Sequence, residues 1–305
     1  MPDQRFKLID EESAHHSISR LARVLGVTAA GYYAWKFRAP SERKLQDELL
    51  KTKIERIHKD SFGIYGAPRI HAELKANDIC VGRKRVARLM KELGIEGVSK
   101  RGRRRITKPK EATPIAPDLV NRDFTATKPN ELWIADITYI PTWQGWLFLS
   151  VVNDAYSRKV CGWSMRDDLK AELVIDALGM AVTRRRPKPG LIHHSDRGSQ
   201  YAALAFGKTL KDSGIMASMG SRGDAYDNAA AESFMSTIKA ELIHRQSWKT
   251  KDKARLAVFR YIECFYNPLR RHSGIGYLSP DEYEKLFDET SEESIVQANV
   301  STLTG

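Results

Sequence analysis

The stretch ELWIADITYIP, from Glu131 to Pro141, is almost wholly apolar or β-branched and predicts a buried β-strand. A single carboxylate, Asp136, stands at its centre. Moving an unpaired carboxylate from water into an apolar interior is costly, so such groups are neutralised, paired or bound to a metal. Two interpretations are open at this point. Asp136 is either a structural aspartate hydrogen-bonded near a strand end or a metal ligand.

The chain beyond residue 120 predicts a mixed α/β sheet with helices on its faces. GWLFLSVVNDAYSRKVCGWSM predicts two further strands, joined by a turn near Asp154. Helices and short strands then alternate through AELVIDALGMAVTRRR, GLIHHSD, YAALAFGKTLKDSGI, MASM and AAAESFMSTIKAELI. Three antiparallel strands followed by this alternation resemble the ribonuclease H-like fold.

The N-terminal third predicts small all-α modules in front of that sheet. SISRLARVLGV and TAAGYYAWK predict two short helices, with Thr28 as the N-cap of the second. This is the outline of a helix-turn-helix in which Thr28, Tyr32 and Lys36 would lie on the helix that reads DNA. An ordinary helical hairpin fits the segment equally well.

A second helical unit follows a charged helix over roughly 41–60. YGAPRIHAELK and VGRKRVARLMKELGI predict two helices, and the second has basic side chains outside its apolar stripe. The run SKRGRRRITKPK, together with Pro109, Pro114 and Pro117, then predicts an extended linker along DNA phosphates, with simple solubility as the alternative. The candidate DNA contacts of these segments are Arg83, Lys84, Arg85, Arg88, Arg101, Arg103, Arg104 and Arg105.

The charge balance favours a nucleic-acid partner. The 305 residues include 50 Lys and Arg against 38 Asp and Glu, a formal charge of +12. The three cysteines lie far apart without a CxxC, which indicates neither a disulfide framework nor a zinc cluster. No apolar signal core or membrane-spanning run is present, so we expect a soluble cytoplasmic protein with no membrane partner.

Three carboxylates stand out by their context. Asp136 is mid-strand, Asp196 ends the strand in HHSDRGSQY, and Glu232 lies in the first turns of a helix. Oxygen ligands of this kind suit Mg²⁺, which proteins usually bind through a few carboxylates together with substrate phosphates. The chain contains no GxxxxGK[ST], HExxH or GxSxG motif. His193 and His194 flank the site, where we expect packing or hydrogen bonding instead of catalysis.

Six motifs together resemble the second-frame product (OrfB) of insertion sequences of the IS-three type, which are transposases with an integrase-like core. They run in the family order over most of residues 15–285: YGAPRIHAELK with VGRKRVARLMKELGI, WIADITYI, HSDRGSQY, SRGDAYDNAAAESFMSTIKAE and YNPLRRHSGIGYLSPDEYE. The resemblance places the family's catalytic Asp, Asp and Glu on Asp136, Asp196 and Glu232, with 35 residues between the last two. Its basic residue seven positions later falls on Lys239, on the same helix face as Glu232, where it would contact a DNA phosphate near the scissile bond. For Asp136 it favours the metal ligand.

The resemblance also implies a chemistry and partners. It implies two Mg²⁺ ions per active site, with Mn²⁺ able to substitute, Asp136 bridging both ions and Asp196 and Glu232 each completing one. Water would cleave a phosphodiester at the element's end, and the freed 3′-OH would attack another. The implied partners are double-stranded DNA (terminal inverted repeats and target), a first-frame protein or frameshift fusion, and further copies of the chain in the synaptic complex. Location would be cytoplasmic, at the bacterial nucleoid.

Two rival functions stay open on sequence grounds. One is a DNA-binding regulator derived from a transposase that has lost catalysis, although the intact carboxylate set argues against it. The other is a plain nuclease of the same fold, for which the helical DNA-binding units would have little use. The predicted domains are a helix-turn-helix-like segment (1–40), a helical DNA-binding domain (41–98), a basic linker (99–120), a catalytic core (121–285) and a disordered acidic tail (286–305).

Overall fold

The computed structural model describes residues 2–99, 116–120, 123–196, 198–219 and 229–290, with the backbone alone for residues 2 and 229–233. The chain divides into two compact units, Met1–Arg56 and Ile57–Gly305. Arg101, Arg103, Arg104, Arg105, most of the predicted linker and the end of the predicted tail lie outside the described residues. Within the described ranges, no helix combines the length and the apolar character needed to cross a membrane.

The first unit is helical and contains one helix that the sequence patterns did not predict. Helix α1 precedes the two predicted helices, and all three pack around buried Ile9, Ala22 and Tyr32. The predicted N-cap is confirmed, because the Thr28 hydroxyl accepts a hydrogen bond from the Gly31 N–H at 3.0 Å. The helices of this part are α1 (Pro2–Glu12), α2 (Ile18–Val24), α3 (Ala29–Lys36) and α4 (Glu42–Asp60).

The second unit begins with two packed helices, α5 (Ala67–Ala76) and α6 (Arg83–Glu92). Their apolar stripes meet, so Ile70 and Leu74 of α5 and Val86 and Leu89 of α6 are fully buried. The basic side chains of α6 lie on its other faces. Both helices were predicted, and they form the second helical unit.

A five-stranded mixed sheet forms the core, and it confirms the predicted ribonuclease H-like α/β fold. The strand order is β3-β2-β1-β4-β5. The first three strands are antiparallel, whereas β4 is parallel to both β1 and β5. The strands are β1 (Leu132–Thr142), β2 (Gly145–Asp154), β3 (Val160–Arg166), β4 (Ile192–Ser195) and β5 (Met216–Met219).

Helices cover the sheet, and one glycine sets how closely the first of them approaches. A Cβ on Gly162 of β3 would lie 2.2 Å from the Ala177 carbonyl oxygen, so only glycine permits this close packing of α7. The core there includes Trp133, Val152 and Phe206. The helices are α7 (Ala171–Arg185), α8 (Leu204–Asp212), α9 (Ala229–Glu241) and α10 (Lys251–Phe259), and residues 280–290 are also helical. A π-helix, Arg260–Tyr266, continues α10.

A buried ion pair ties the end of α9 to the C-terminal part of the unit. The Arg270 guanidinium donates to both carboxylate oxygens of Glu241, at 2.7 and 2.6 Å. The Tyr261 hydroxyl donates to the same carboxylate at 2.7 Å. Burial acts to raise the pKa of Glu241, but the hydrogen bonds and charge of Arg270 outweigh it and leave that pKa below its usual range.

The same cluster fastens α5 to the core. Arg69 of α5 donates to Glu241 at 3.4 Å and to the Arg271 carbonyl oxygen at 3.1 Å. The Tyr65 hydroxyl, just before α5, donates to the Leu269 carbonyl oxygen at 3.0 Å. Arg271 in turn pairs with Glu73 of α5. The helical unit therefore has a fixed position relative to the end of α9.

Glu241→Gln should lower the free energy of unfolding by about 3–5 kcal/mol, because Arg270 would stay buried without its counter-charge. Urea denaturation followed by circular dichroism measures the loss at neutral pH. The stability that ionised Glu241 gives the parent protein is fully present above the ordinary glutamate pKa. It is lost as the pH falls through the lower pKa that Glu241 has in the folded protein. Glu48→Gln is the control: its exposed pair with Lys51 should contribute less than about 1 kcal/mol. Equal losses in both variants would contradict a structural role for the buried pair.

Candidate active site

Two neighbouring parallel strands carry Asp136 and lead to Asp196. Ile134 of β1 is paired with His194 of β4, and the same register continued by two residues would place Asp136 opposite Asp196, which follows the end of β4. Adjacent strands lie about 4.8 Å apart, so the two aspartates would then be neighbours across the strand gap. Asp136 is partly buried in mid-strand, whereas Asp196 is exposed directly after β4.

Each carboxylate is oriented by a nearby backbone N–H. Asp136 Oδ1 accepts from the Ile137 N–H at 2.7 Å, and Asp196 Oδ1 accepts from the Gly198 N–H at 3.0 Å. A Cβ on Gly198 would lie 3.0 Å from Asp196 Oδ1, which is tighter than an ordinary contact. Glycine at this position therefore lets the backbone turn closely around the carboxylate.

Tyr201, five residues after Asp196, is buried next to the candidate site. Its side chain is buried against His193 and Phe206, with ring centroids 6.3 and 5.5 Å away. Burial raises the pKa of the Tyr201 hydroxyl well above its ordinary value, and the charges of Asp136 and Asp196 raise it further. Both charges therefore act on one buried phenol. Tyr201 is the last residue of the HSDRGSQY motif, but the sequence patterns predicted no role for it. Its position five residues after Asp196 is the feature that could have indicated its place beside the site.

Glu232 lies on the helix that packs against the strand of Asp136. Helix α9 contacts β1, and Phe234, Met235 and Ile238 of α9 are buried. The Glu232 side chain lies outside the described residues, as do Asp224 and Asp227 of the preceding loop. Among the side chains that the structure describes, no three His, Cys, Asp or Glu residues form a cluster able to hold a metal. All three metal ligands, Asp136, Asp196 and Glu232, therefore stay predictions.

Asp154 shows what a structural aspartate in this sheet looks like. It is fully buried at the end of β2, where it accepts hydrogen bonds from the N–H groups of Asn130 and Tyr156 at 2.7 and 2.9 Å. Arg185 lies 3.7 Å from the same carboxylate. Burial is the main cause that raises the pKa of Asp154 above its usual range. Asp136 differs from it: it lies in mid-strand, is only partly buried, and accepts from the N–H of the next residue, Ile137.

Lys239 of α9 lies beside the far end of β1. Its Nζ is 5.8 Å from the centroid of the Tyr139 ring, three residues after Asp136 along the strand. A lysine over an aromatic face is held there by the ring's negative potential. Contact between Lys239 and DNA remains a prediction.

The two histidines beside the site are packed, as expected. His193 is buried against Phe206, and burial lowers its pKa to about 4. His194 Nδ1 lies 3.0 Å from the Ser218 hydroxyl oxygen, and its ring meets Phe124 edge-on.

The prediction that Tyr32 contacts DNA is wrong, because the structure buries this side chain. Its side chain is buried under α1, and its hydroxyl donates to Asp10 of that helix at 2.6 Å. Lys36 pairs with the same carboxylate at 2.7 Å, and the Thr28 hydroxyl is used as the helix cap. The prediction failed because α1 covers a face that the sequence patterns left open.

The predicted contacts on α6 lie on the surface of the second unit. Arg83, Lys84 and Arg88 are exposed, and Arg85 is partly buried. Arg88 pairs with Glu92 one turn later on the helix. Their contact with DNA remains a prediction.

Comparison with known proteins supports the class of a polynucleotidyl transferase. Family models described as an integrase core domain match residues 126–225 and 213–280, and a model described as an HTH-like domain matches residues 44–105. A solved structure of the integrase catalytic core of BIV is 21% identical, covers 53% of this chain and 99% of that one, and has a TM-score of 0.41.

Comparison with curated relatives identifies the family within this class. The chain is 41% identical over 269 residues to the insertion element IS600 31 kDa protein of Shigella sonnei, covering 88% of this chain and 99% of that protein. It is 37% identical over 282 residues to transposase InsF of insertion sequence IS3A from Escherichia coli K12, covering 92% and 98%. The chain belongs to this family of insertion-sequence transposases.

Asp136→Asn should keep or raise the melting temperature in the absence of divalent metal, because it removes the repulsion between neighbouring carboxylates. Asp154→Asn should lower it, since that variant disturbs a buried hydrogen-bonded carboxylate. Added Mg²⁺ should stabilise the parent and Asp154→Asn by mass action, but not Asp136→Asn. Thermal unfolding with and without Mg²⁺ makes the comparison. An equal Mg²⁺ response in all three proteins would contradict a cation site at Asp136.

Proposed function

We propose that Asp136, Asp196 and Glu232 form a DDE-type centre that cleaves one DNA strand at the end of an insertion sequence and joins the freed 3′ end to a second strand. The observation that carries this proposal is the parallel register of β1 and β4, which, continued by two residues, would bring Asp136 beside Asp196. The shared effect of both charges on Tyr201 supports it. Membership of the transposase family supplies the substrate class.

The donor set fits a hard divalent cation. Carboxylate oxygens from two neighbouring strands and one helix are the ligands that Mg²⁺ prefers, and Mn²⁺ accepts the same set. Asp136, Asp196 and Glu232 would together hold the ions. The ions, when bound, supply a Lewis acid for the phosphodiester and favour deprotonation of the attacking water or 3′-OH.

The chain's own residues hold and align the DNA. Lys239 would contact a phosphate close to the scissile bond, because it lies on the helix of Glu232 and beside the strand of Asp136. Arg83, Lys84 and Arg88 of α6 would contact the terminal repeat, together with the linker residues Arg101, Arg103, Arg104 and Arg105. Since α5 is fastened to the end of α9, DNA held by the helical unit has a fixed approach to the carboxylates.

Partners follow from the reaction. Cleavage and joining need terminal inverted repeats and a target duplex, and pairing two ends needs more than one copy of the chain. We further propose a first-frame partner, separate or fused by frameshifting, that helps to recognise the repeats. DNA as substrate would place the protein at the nucleoid in the bacterial cytoplasm.

Asp136→Asn, Asp196→Asn and Glu232→Gln should each lower cleavage and strand transfer by at least about 1,000-fold, because each removes a charged ligand. Binding of end DNA should change less than about twofold. Both are measured with purified protein on labelled oligonucleotides that carry the element's end, in Mg²⁺ or Mn²⁺. Ca²⁺ should support binding alone, because its coordination is larger and looser.

The control for this series is Asp212→Asn, an exposed aspartate at the end of α8, which should keep parental activity. Full cleavage by any one of the three site variants would refute the assigned centre. A parent protein that binds end DNA but never cleaves it would support the regulator instead.

A further inference from the structure

The far end of the β1–β2 hairpin carries an unusual concentration of exposed aromatic side chains. Tyr139, Trp143 and Trp146 are 56%, 71% and 52% exposed. Large exposed apolar groups that lie together mark interaction sites more often than chance exposure. With two neighbouring lysines, Lys239 and Lys249, these side chains are named the hairpin-end patch.

The hairpin-end patch is held rigidly. The Thr142 hydroxyl donates to the Gly145 carbonyl oxygen at 2.6 Å, and Gly145 closes the turn with a φ of +96° that favours glycine. The Trp143 N–H donates to the carbonyl oxygen of buried Trp248 at 2.9 Å, which fastens the turn to the segment after α9. A binding surface that is already ordered loses little conformational entropy when a ligand arrives.

Cations accompany the rings. Lys249 Nζ lies 5.6 Å from the Trp143 ring centroid, and Lys239 Nζ lies 5.8 Å from that of Tyr139. Trp146 meets Tyr139 edge-on at a centroid distance of 4.9 Å. Aromatic faces interleaved with ammonium groups suit a polyanion that also has flat apolar surfaces, and single-stranded nucleic acid combines both properties.

The position of the patch connects it to the reaction. Lys239 follows Glu232 by seven residues on α9, nearly two helical turns, so both residues belong to the same face of the helix. Tyr139, beside Lys239, follows Asp136 by three residues on β1, about 10 Å along the strand and on its opposite face. DNA whose scissile bond lies at the carboxylates and that follows this face of α9 would reach Lys239, and with it the hairpin-end patch, within a few nucleotides.

We propose that the hairpin-end patch binds unpaired bases of the DNA strand that runs past the scissile phosphate. Trp143 and Trp146 stack on the bases, and Lys239 and Lys249 contact the phosphates between them. The rings need bases freed from the duplex, because paired bases present only their edges in the grooves. The patch would thus favour an opened DNA end without regard to its sequence. This inference rests on the proposed function and assigns it a substrate subsite.

A second copy of the chain is the less favoured occupant. An isologous contact through this patch would bring Lys239 and Lys249 of both copies together, which like-charge repulsion opposes. The net charge of +12 also opposes the association of two copies.

The test uses the full chain and an end duplex that carries a four-nucleotide single-stranded extension past the cleavage site, with 2-aminopurine in the extension. Binding is measured in EDTA, so that no cleavage occurs, by anisotropy and by 2-aminopurine quenching. Trp143→Ala and Trp146→Ala should each weaken binding of the extended DNA about fivefold or more and reduce the quenching. Affinity for the blunt duplex should stay within about twofold.

Three further variants separate stacking from misfolding and from catalysis. Trp143→Phe should keep most of the affinity, because phenylalanine also stacks, and Phe259→Ala, at an exposed aromatic on α10, should behave as the parent. Asp136→Asn should keep the quenching while it loses cleavage. Parental binding by a Trp143→Ala, Trp146→Ala double variant would overturn the proposal and leave the proposed function standing. Loss of dimers in sedimentation, with DNA binding unchanged, would assign the patch to a second copy.

Discussion

The parallel pairing of β1 with β4 is the constraint on which the function of this fold depends. Its register, continued by two residues, would set Asp136 opposite Asp196, and the two negative charges would then repel. Hydrogen bonds on both flanks of β1 hold the strand in place against that repulsion. Binding of a divalent cation would convert the repulsion into attraction. The arrangement is therefore one that a metal-dependent phosphoryl transfer can use and that stability alone does not favour.

Helix α9 joins the proposed catalytic centre to the helical unit of α5 and α6. The helix carries Glu232 near its start and ends at Glu241, whose buried pair with Arg270 also receives Arg69 from α5. A shift of α5 would break contacts with a buried carboxylate, and such contacts are costly to lose. We infer that binding of DNA by the helical unit and positioning of Glu232 are mechanically connected through this one helix.

Local patterns in the sequence predicted much of this structure. Periodicity within a few residues predicted the buried strand around Asp136 and the order of strands and helices. Capping chemistry predicted Thr28 as the N-cap of α3. The prediction that Tyr32 contacts DNA failed because helix α1 was not predicted. Without α1, the face of α3 that carries Tyr32 would be exposed. Likewise, no local pattern could foresee that Arg69 meets Glu241, since these residues lie far apart in the chain. The hairpin-end patch also needed the structure, because exposure of Trp143 and Trp146 cannot be read from the sequence.

The most direct test of the central claim is to locate the metal. Crystals of the parent protein with end DNA and Mn²⁺ should show anomalous density between the carboxylates of Asp136 and Asp196, with Glu232 as a further ligand. The same density should be absent from Asp136→Asn crystals grown in parallel. Anomalous density elsewhere in the protein, with none at this pair of aspartates, would contradict the account.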